Sequence, residues 1–292
     1  MFRLLIVIFL TVFFLVIDCS TSLDNTSSNN PDYVLIKKYN LPEELDETSG
    51  ILLFDSLIWT FNDSESEPVI YGFVPGTGEI IRKIIISNGI NNDWEDIAQN
   101  KNCLFIGDIG NNDGSRKDLK IYILPKSQIS QDSIQHVMSD SINFSYSNQV
   151  DYNPALYANR FDCEAMIAMN DSLYLFSKDW LHLKTSIYSL PVQAGTYKAK
   201  YLRDFDSDGL VTGADLNPEN NSLVLCGYNL FYPFIILLDN MNNLKVLQKN
   251  ELEELPGTQV EGITFEGNNS FFITNENSAI LQSLHEVIFN AD

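Results

Sequence analysis

Positive charge is scarce in this chain. Eighteen lysines and arginines stand against 39 aspartates and glutamates, a formal net charge of −21 at pH 7. Nucleic acid and anionic membrane surfaces therefore find little to hold, while divalent cations meet a favourable field. A soluble acidic surface with no ligand would carry the same excess. Histidine is rarer still: His136, His182 and His285 are the only three, and none is paired at metal-ligand spacing. No Gly-x-Ser-x-Gly elbow and no Walker loop occurs, which removes the serine-hydrolase and P-loop templates. Hydrolysis by such a chain would have to be metal-assisted, with Ca²⁺ polarising a phosphoryl oxygen and carboxylates orienting water. Of four cysteines, Cys103, Cys163 and Cys226 fall in or beside strand patterns and read as buried thiols before disulfides.

Only one long apolar run is present. Leu4 to Ile17, broken by Thr11 and preceded by Arg3, spans fourteen residues. A membrane helix needs about 20, so the run suits the core of a signal peptide. Val16-Ile17-Asp18-Cys19 stands where a bacterial lipoprotein carries its acylated cysteine, with Asp18 in a place where a small residue is usual. Export is the expectation, with lipidation at Cys19, plain secretion and a retained signal anchor all open. The expected organisation is a signal at 1–19, a polar tether at 20–31, and one β domain over 32–292. With 45% hydrophobic and 12% aromatic residues, the last is well able to build an extended core.

What fills that domain is a repeat. Ser49-Gly50-Ile51, Glu95-Asp96-Ile97, Glu164-Ala165-Met166, Ala214-Asp215-Leu216 and Glu261-Gly262-Ile263 each open an apolar stretch. Eight residues beyond the third member of each triplet stand Trp59, Phe105, Tyr174, Val224 and Phe271. Steps of 46 to 69 residues have the period of β-propeller blades. Within each unit the triplet opens one strand and the aromatic or apolar position a second. A third is expected at 69–73, 120–124, 186–190, 234–238 and 279–284, and a fourth at 79–86, 141–146, 197–202 and 243–247. The fifth unit lacks a fourth strand, and 33–39 is a spare strand that can supply it and close the ring, removing open edges. The fold expected is an all-β, five-bladed β-propeller closed by its N-terminal strand; six blades fit the spacing less well.

In that geometry the starts of the inner strands converge on a central channel, and Ser49, Glu95, Glu164, Ala214 and Glu261 share its mouth. A hard cation such as Ca²⁺ takes six to eight oxygens, and three glutamates brought together without one would repel each other or take up protons. Solvent-facing acids at a channel mouth are the plainer reading. Past the second strands, on the same face, lie Asn62, Asp63, Asp108, Asn111, Asn112, Lys178, Asn275 and Glu276. Arg116 and Arg160 could reach a phosphate or sugar carboxylate there, and Tyr152 and Tyr157 could stack on a ring. For any single one of these, a place in a hydrogen-bonded rim of turns is the preferred reading.

The order Ser-Gly-Ile, Glu-Asp-Ile, Glu-Ala-Met, Ala-Asp-Leu, Glu-Gly-Ile resembles the inner-strand starts of the calcium-activated apyrases, five-bladed propellers with a central Ca²⁺. The resemblance implies a Ca²⁺ ligand role for Ser49, Glu95, Glu164 and Glu261, and Ala214 departs from it where that family has a second serine. The stretches NDWEDIA (92–98) and FIGDIGNN (105–112) are also similar to a group of exported bacterial propellers.

A second Ca²⁺ candidate is 204–215, where Asp204, Asp206, Asp208, Gly209 and Asp215 fall on the pattern of an EF-hand loop. No helical pattern flanks it, and an Asp/Gly-rich turn fits as well. Asn25, Asn143, Asn170, Asn220 and Asn268 head Asn-x-Ser/Thr sequons, which a chain this rich in Asn and Ser contains by chance. The function expected is an exported, monomeric Ca²⁺-binding propeller that takes a polar small molecule, glycan or phosphate-containing ligand on one face. The alternative is a Ca²⁺-dependent phosphohydrolase of apyrase or phytase type.

Overall fold

β-branched and aromatic residues are frequent in most segments that form strands, and alternation of buried and exposed positions appears mainly towards the outside of each sheet. The computed structural model describes residues 32–154, 157–230, 232–278 and 280–290. The expected signal, Cys19, the tether and Asn25 lie outside the described residues. Among the described residues no helix is long and apolar enough to cross a membrane.

The chain runs β1 (Tyr33–Asn40), then β2 (Thr48–Phe54), β3 (Leu57–Asn62), β4 (Val69–Phe73) and β5 (Ile80–Ile86) as the first unit. The second comprises β6 (Trp94–Gln99), β7 (Cys103–Asp108), β8 (Lys120–Pro125), β9 (Ile134–Val137) and β10 (Asp140–Tyr146). The third is β11 (Asp162–Met169), β12 (Ser172–Asp179), β13 (Lys184–Pro191) and β14 (Gly195–Phe205). The fourth is β15 (Leu210–Leu216), β16 (Leu223–Asn229), β17 (Tyr232–Leu238) and β18 (Val246–Glu251), and the last is β19 (Val260–Phe265), β20 (Ser270–Asn275) and β21 (Ser283–Phe289).

The result is an all-β propeller. Inner strands β2, β6, β11, β15 and β19 each touch the next, and β19 touches β2, so the inner strands close on themselves. Each unit is an antiparallel meander outward from its inner strand, and β1 pairs with β21 at the outside of the last. Two features were not expected. Strand β9 leaves the second unit to pair parallel with β5 of the first, and β10 pairs parallel with β14, fusing two units into one eight-stranded sheet. Both pairings cover outer edges that would otherwise be exposed. The third strand of the last unit also lies later than 279–284. Gln282 is held by the carbonyls of Leu41 and Pro42 in the preceding link, and β21 begins at Ser283.

The core is divided among the units. Five apolar clusters form, each joining one unit to its neighbour. Trp59, Phe105, Tyr174 and Val224 each pack towards the following unit, whereas Phe271 packs on Phe265 and Phe289 within the last. This explains why the repeat demands a large side chain there: it fills the wedge between two sheets, where truncation of a buried aromatic typically costs about 3–5 kcal/mol. Cys163 and Cys226 are buried, Cys103 is half-buried, and all three are free thiols.

Near the axis the inner strands come too close for side chains. A Cβ on Gly50 would lie 2.6 Å from the Asp96 Cα and 2.9 Å from the Glu95 carbonyl oxygen. Both atoms are backbone of the neighbouring strand β6, which has little room to give. Gly50→Ala is therefore expected to lose about 1–3 kcal/mol by overpacking, measured by urea unfolding. Gly267→Ala, whose Cβ would meet nothing nearer than 3.8 Å, should stay within about 0.5 kcal/mol of the parent. Equal effects at the two sites would contradict the close approach.

Candidate functional site

Each inner strand breaks register with its neighbour within its first residues. The irregularities lie between Thr48 and Ile51, Trp94 and Asp96, Cys163 and Ala165, Val211 and Gly213, and Val260 and Gly262. A bulge re-aims the residue it contains. The bulged residues are Glu95, Glu164, Thr212 and Glu261, with Ser49 in the corresponding place on β2. The fourth member is thus Thr212 and not Ala214. The turn joining β15 to β16 is longer, so Asp215 pairs with Val224, and counting back eight residues lands two positions late. A hydroxyl residue therefore takes the fourth place in the series.

The hydroxyls and the carboxylates have different tasks. Ser49 Oγ donates to the Glu95 carbonyl at 2.7 Å, and Thr212 Oγ1 donates to the carbonyl of Val260, so both tie one inner strand to the next. Asp96 and Asp215 do the same with carboxylates. Asp96 accepts from the Met166 amide at 2.7 Å, while Asp215 accepts from Thr264 Oγ1 and the Phe265 amide.

Glu95, Glu164 and Glu261 are all more than nine-tenths buried. One ammonium joins them: Lys178, on β12 and equally buried, places Nζ 2.8 Å from Glu164 Oε2 and lies over the rings of Trp180 and Tyr228. Burial opposes its charge, but Glu164, Tyr228, Glu261 and Asp162 outweigh that and hold its pKa well above the usual value. Among the described residues Glu95 has no such partner, and its carboxylate accepts no hydrogen bond. Its carboxylate lies in a group with those of Asp63 and Asp93, all within 4.8 Å of one another. Asp63 Oδ1 is itself buried without a partner. Gly110 passes against this group, where a Cβ would sit 2.1 Å from Glu95 Oε1 and 2.4 Å from Asp93 Oδ2.

Crowding shows in the titration of these acids. Burial, then Asp93 and Glu164, pushes Asp63 up to about 8. Burial, reinforced by Asp162 and Asp108 against the pull of Arg116, raises Asp93 to about 6. Glu95 is raised well above the carboxylate range by burial and then by Glu164, Asp63 and Asp93. Glu261 rises through burial, Glu276 and Glu164 despite Lys178, and Asp162 rises to about 7 through burial and Glu164. Three carboxylates, one with a buried oxygen that has no hydrogen-bond partner, are hard oxygen donors that fit a cation such as Ca²⁺.

The remaining expected site residues divide. Asp63 belongs to the acidic group, and the charges of Glu276 and Lys178 act on Asp63 and Asp93 respectively. Asp108 is buried and held by Arg116 at 2.8 Å, by Asn92 and by the Asp93 amide, so it fixes the 91–94 link. Arg116 also donates to the Gly110 carbonyl and pairs with Asp118. Arg160 is bound to Ser186 and Asp204. Asn62 donates to the Glu44 carbonyl, Asn111 bridges Asp162, Phe161 and Arg116, and Asn275 donates to the Glu276 carbonyl beside His285. Asn112 is exposed, Tyr152 lies under the Lys117 ammonium, and Tyr157 packs on Trp180. Most of these side chains hold turns.

The acids of 204–215 do not converge. Asp204 pairs with Arg160, Asp206 with Lys184, Asp208 with Lys249, and Asp215 points inward to Thr264. Strands β14 and β15 flank the segment, and the Ser207 hydroxyl closes the turn onto the Gly209 carbonyl. Asp93 and Thr212 were not singled out from the sequence. Asp93 sits in a link, which carries no periodic mark, whereas the bulge that would have revealed Thr212 is visible only in the pairing.

No protein-family model matches the chain, and no curated protein matches it. Among solved structures it is similar to hydrazine synthase of Kuenenia stuttgartiensis, at 9% identity and a TM-score of 0.42 over 82% of this chain and 58% of that one. It thus spans less than two thirds of that protein's length. It is also similar to PQQ-bound aldose sugar dehydrogenase from Streptomyces coelicolor (9% identity, TM-score 0.47, 88% and 98% covered) and to the WD40 β-propeller domain of Doa1 (9%, 0.41, 86% and 96%). Likenesses this distant say nothing of activity or ligand.

The raised carboxylates set the sign of a pH effect. In the unfolded chain they ionise near pH 4, whereas folded Asp93, Asp162 and Asp63 keep their protons to about 6, 7 and 8. The native state then binds more protons, so stability is lost as pH rises through that window. In chelator the melting temperature of the wild type should fall between about pH 5 and pH 8, and Asp63→Asn should flatten its upper part. A melting temperature that climbs over this range in both proteins would contradict the crowding.

Proposed function

We propose that this chain is an exported five-bladed propeller that holds Ca²⁺ between Asp63, Asp93 and Glu95 and binds a polar ligand on the same face. The five-blade reading is supported by the closed succession of five inner strands and by the five apolar clusters that lie between neighbouring units. On this reading the eight-stranded sheet is two blades joined along their outer edges. Export rests on the apolar run at 4–17.

One observation carries the metal reading. Asp63 Oδ1 is buried without a hydrogen-bond partner, in a group with the carboxylates of Asp93 and Glu95, while the nearby ammonium of Lys178 is taken by Glu164. A buried charge left in that state is costly unless a cation answers it. Lys178 thus serves the Glu164 and Glu261 side of the ring, and Ca²⁺ the Glu95 side, with coordination positions left over for oxygens of a ligand. The phosphohydrolase alternative draws less support. Lys178 and Arg116, the cations nearest the acids, are both held by carboxylates, and phosphoryl transfer needs donors free to meet developing charge.

Ca²⁺ should raise the melting temperature, since a ligand bound by the native state alone stabilises it by about 2.7 kcal/mol at a hundred times its dissociation constant. Glu95→Gln and Asp63→Asn should abolish that rise. A wild-type melting curve indifferent to Ca²⁺ and chelator would refute the metal reading. Steady phosphate release from nucleotides or inositol phosphates at about 1 per second or faster would favour the hydrolase.

A further inference from the structure

The opposite end of the propeller, where the first and second strands of each unit turn, carries a cleft of a different character. It has a volume of about 420 Å³ and is lined by five asparagines together with Met169 and Tyr174. That size lies within the range of about 300–1,000 Å³ usual for small-molecule sites. No lining residue is charged. In a chain of net charge −21, an uncharged cleft excludes ion pairing as its mode of recognition and leaves hydrogen bonding and apolar contact.

The amides are set for such contact. Asn170 and Asn221 occupy the left-handed backbone region, at φ 56° and 61°, in the β11–β12 and β15–β16 turns. Asparagine tolerates that conformation better than most residues. Asn240 uses its side-chain oxygen to close the β17–β18 turn on the amides of Asn242 and Asn243, which leaves its own NH₂ unused. Among the described residues the side chains of Asn170, Asn221 and Asn242 and the Tyr174 hydroxyl find no hydrogen-bond partner, whereas Asn220 is committed to Ser222 and Asn268. Each amide offers a donor and an acceptor in one plane. Met169 and the half-buried Tyr174 ring add an apolar surface beside them. Through Met169, Asn170 and Asn221 the cleft adjoins a second of about 420 Å³, bordered by Leu216, Pro218 and Asn100 and, at its far side, by exposed Lys101 and by Lys126, whose ammonium is held by Gln99 Oε1.

From this we infer that the cleft is a binding site for a neutral carbohydrate, one sugar ring meeting the asparagines and Tyr174 and further units following the second cleft. Neutral sugars present adjacent hydroxyls, each both donor and acceptor, around a C–H face. An uncharged array of planar amides next to an aromatic ring answers both. A carboxylated or phosphorylated ligand would gain no counter-charge in the first cleft. The site is separate from the acidic group, so its occupation does not depend on Ca²⁺.

The test is titration of the purified protein, in chelator, with neutral tri- to hexasaccharides of the malto-, cello-, xylo- and β-1,3-gluco- series, and with oligogalacturonates of equal length as an anionic counterpart. Saturation-transfer NMR and calorimetry report binding. At least one neutral series should bind saturably, and Asn221→Gly and Asn242→Ala should each weaken it by about tenfold or more. Because glycine keeps the left-handed turn at 221, the melting temperature should not move. The inference is overturned if no neutral series binds, if both variants bind like the wild type, or if the oligogalacturonates bind more tightly than every neutral series.

Discussion

Too many carboxylates meet at one axis, and most of what is distinctive in this molecule answers that constraint. Closing the inner strands on themselves brings Glu95, Glu164 and Glu261 together, Asp162 joins them from the start of β11, and the links add Asp63, Asp93 and Glu276. Two like charges about 4 Å apart cost roughly 4 kcal/mol at an effective dielectric of 20, so a few unrelieved contacts would consume the stability of an ordinary domain. Three responses are open: protonation, an internal cation or an external one. Lys178 is the internal one. Its single charge reaches Glu164 and Glu261 but leaves Glu95 without a hydrogen-bonding partner.

The same inner strands are fastened by bonds that run from one unit to the next. Ser49, Thr212, Asp96 and Asp215 reach across to main-chain groups of the following strand, and Thr264 accepts from the Leu53 amide to join the last unit to the first. Bulges make this division of labour possible. Each one turns a single residue away from the ladder. Where that residue is a glutamate it enters the channel, and where it is a hydroxyl residue it stitches two units. Gly50 is required beside these bonds because the strands they draw together leave no room for a Cβ. Packing near the axis and the chemistry of the axis are therefore set by the same few residues.

The propeller was legible because its repeat reflects a packing need: a large side chain at Trp59, Phe105 and Tyr174 fills the wedge between neighbouring sheets and recurs at fixed spacing. Glu95, Glu164 and Glu261 were legible for the same reason. Ala214 was misassigned because spacing was measured through a turn whose length varies, whereas the bulge that marks Thr212 is a property of pairing. Strand β9 is short and bears polar residues, so nothing in its four residues announces that it joins another unit. The 204–215 segment shows the opposite failure. Its acids fit a loop pattern in one dimension, yet β14 and β15 direct them to four separate partners. Lys178 was recognisable as a cation on the right face, but its burial against Glu164 depends on two inner-region strands of one unit, β11 and β12, and could not be seen in the sequence.

The central claim is a location: an external cation beside Glu95, with Lys178 kept on Glu164. Anomalous diffraction from crystals soaked in Ca²⁺ or a lanthanide tests it directly. The account predicts one strong peak within coordination distance of the carboxylates of Asp63, Asp93 and Glu95, with Lys178 Nζ still paired to Glu164. A peak on the axis among Ser49, Glu95, Glu164 and Glu261 with Lys178 displaced, or no peak at either place, would contradict it.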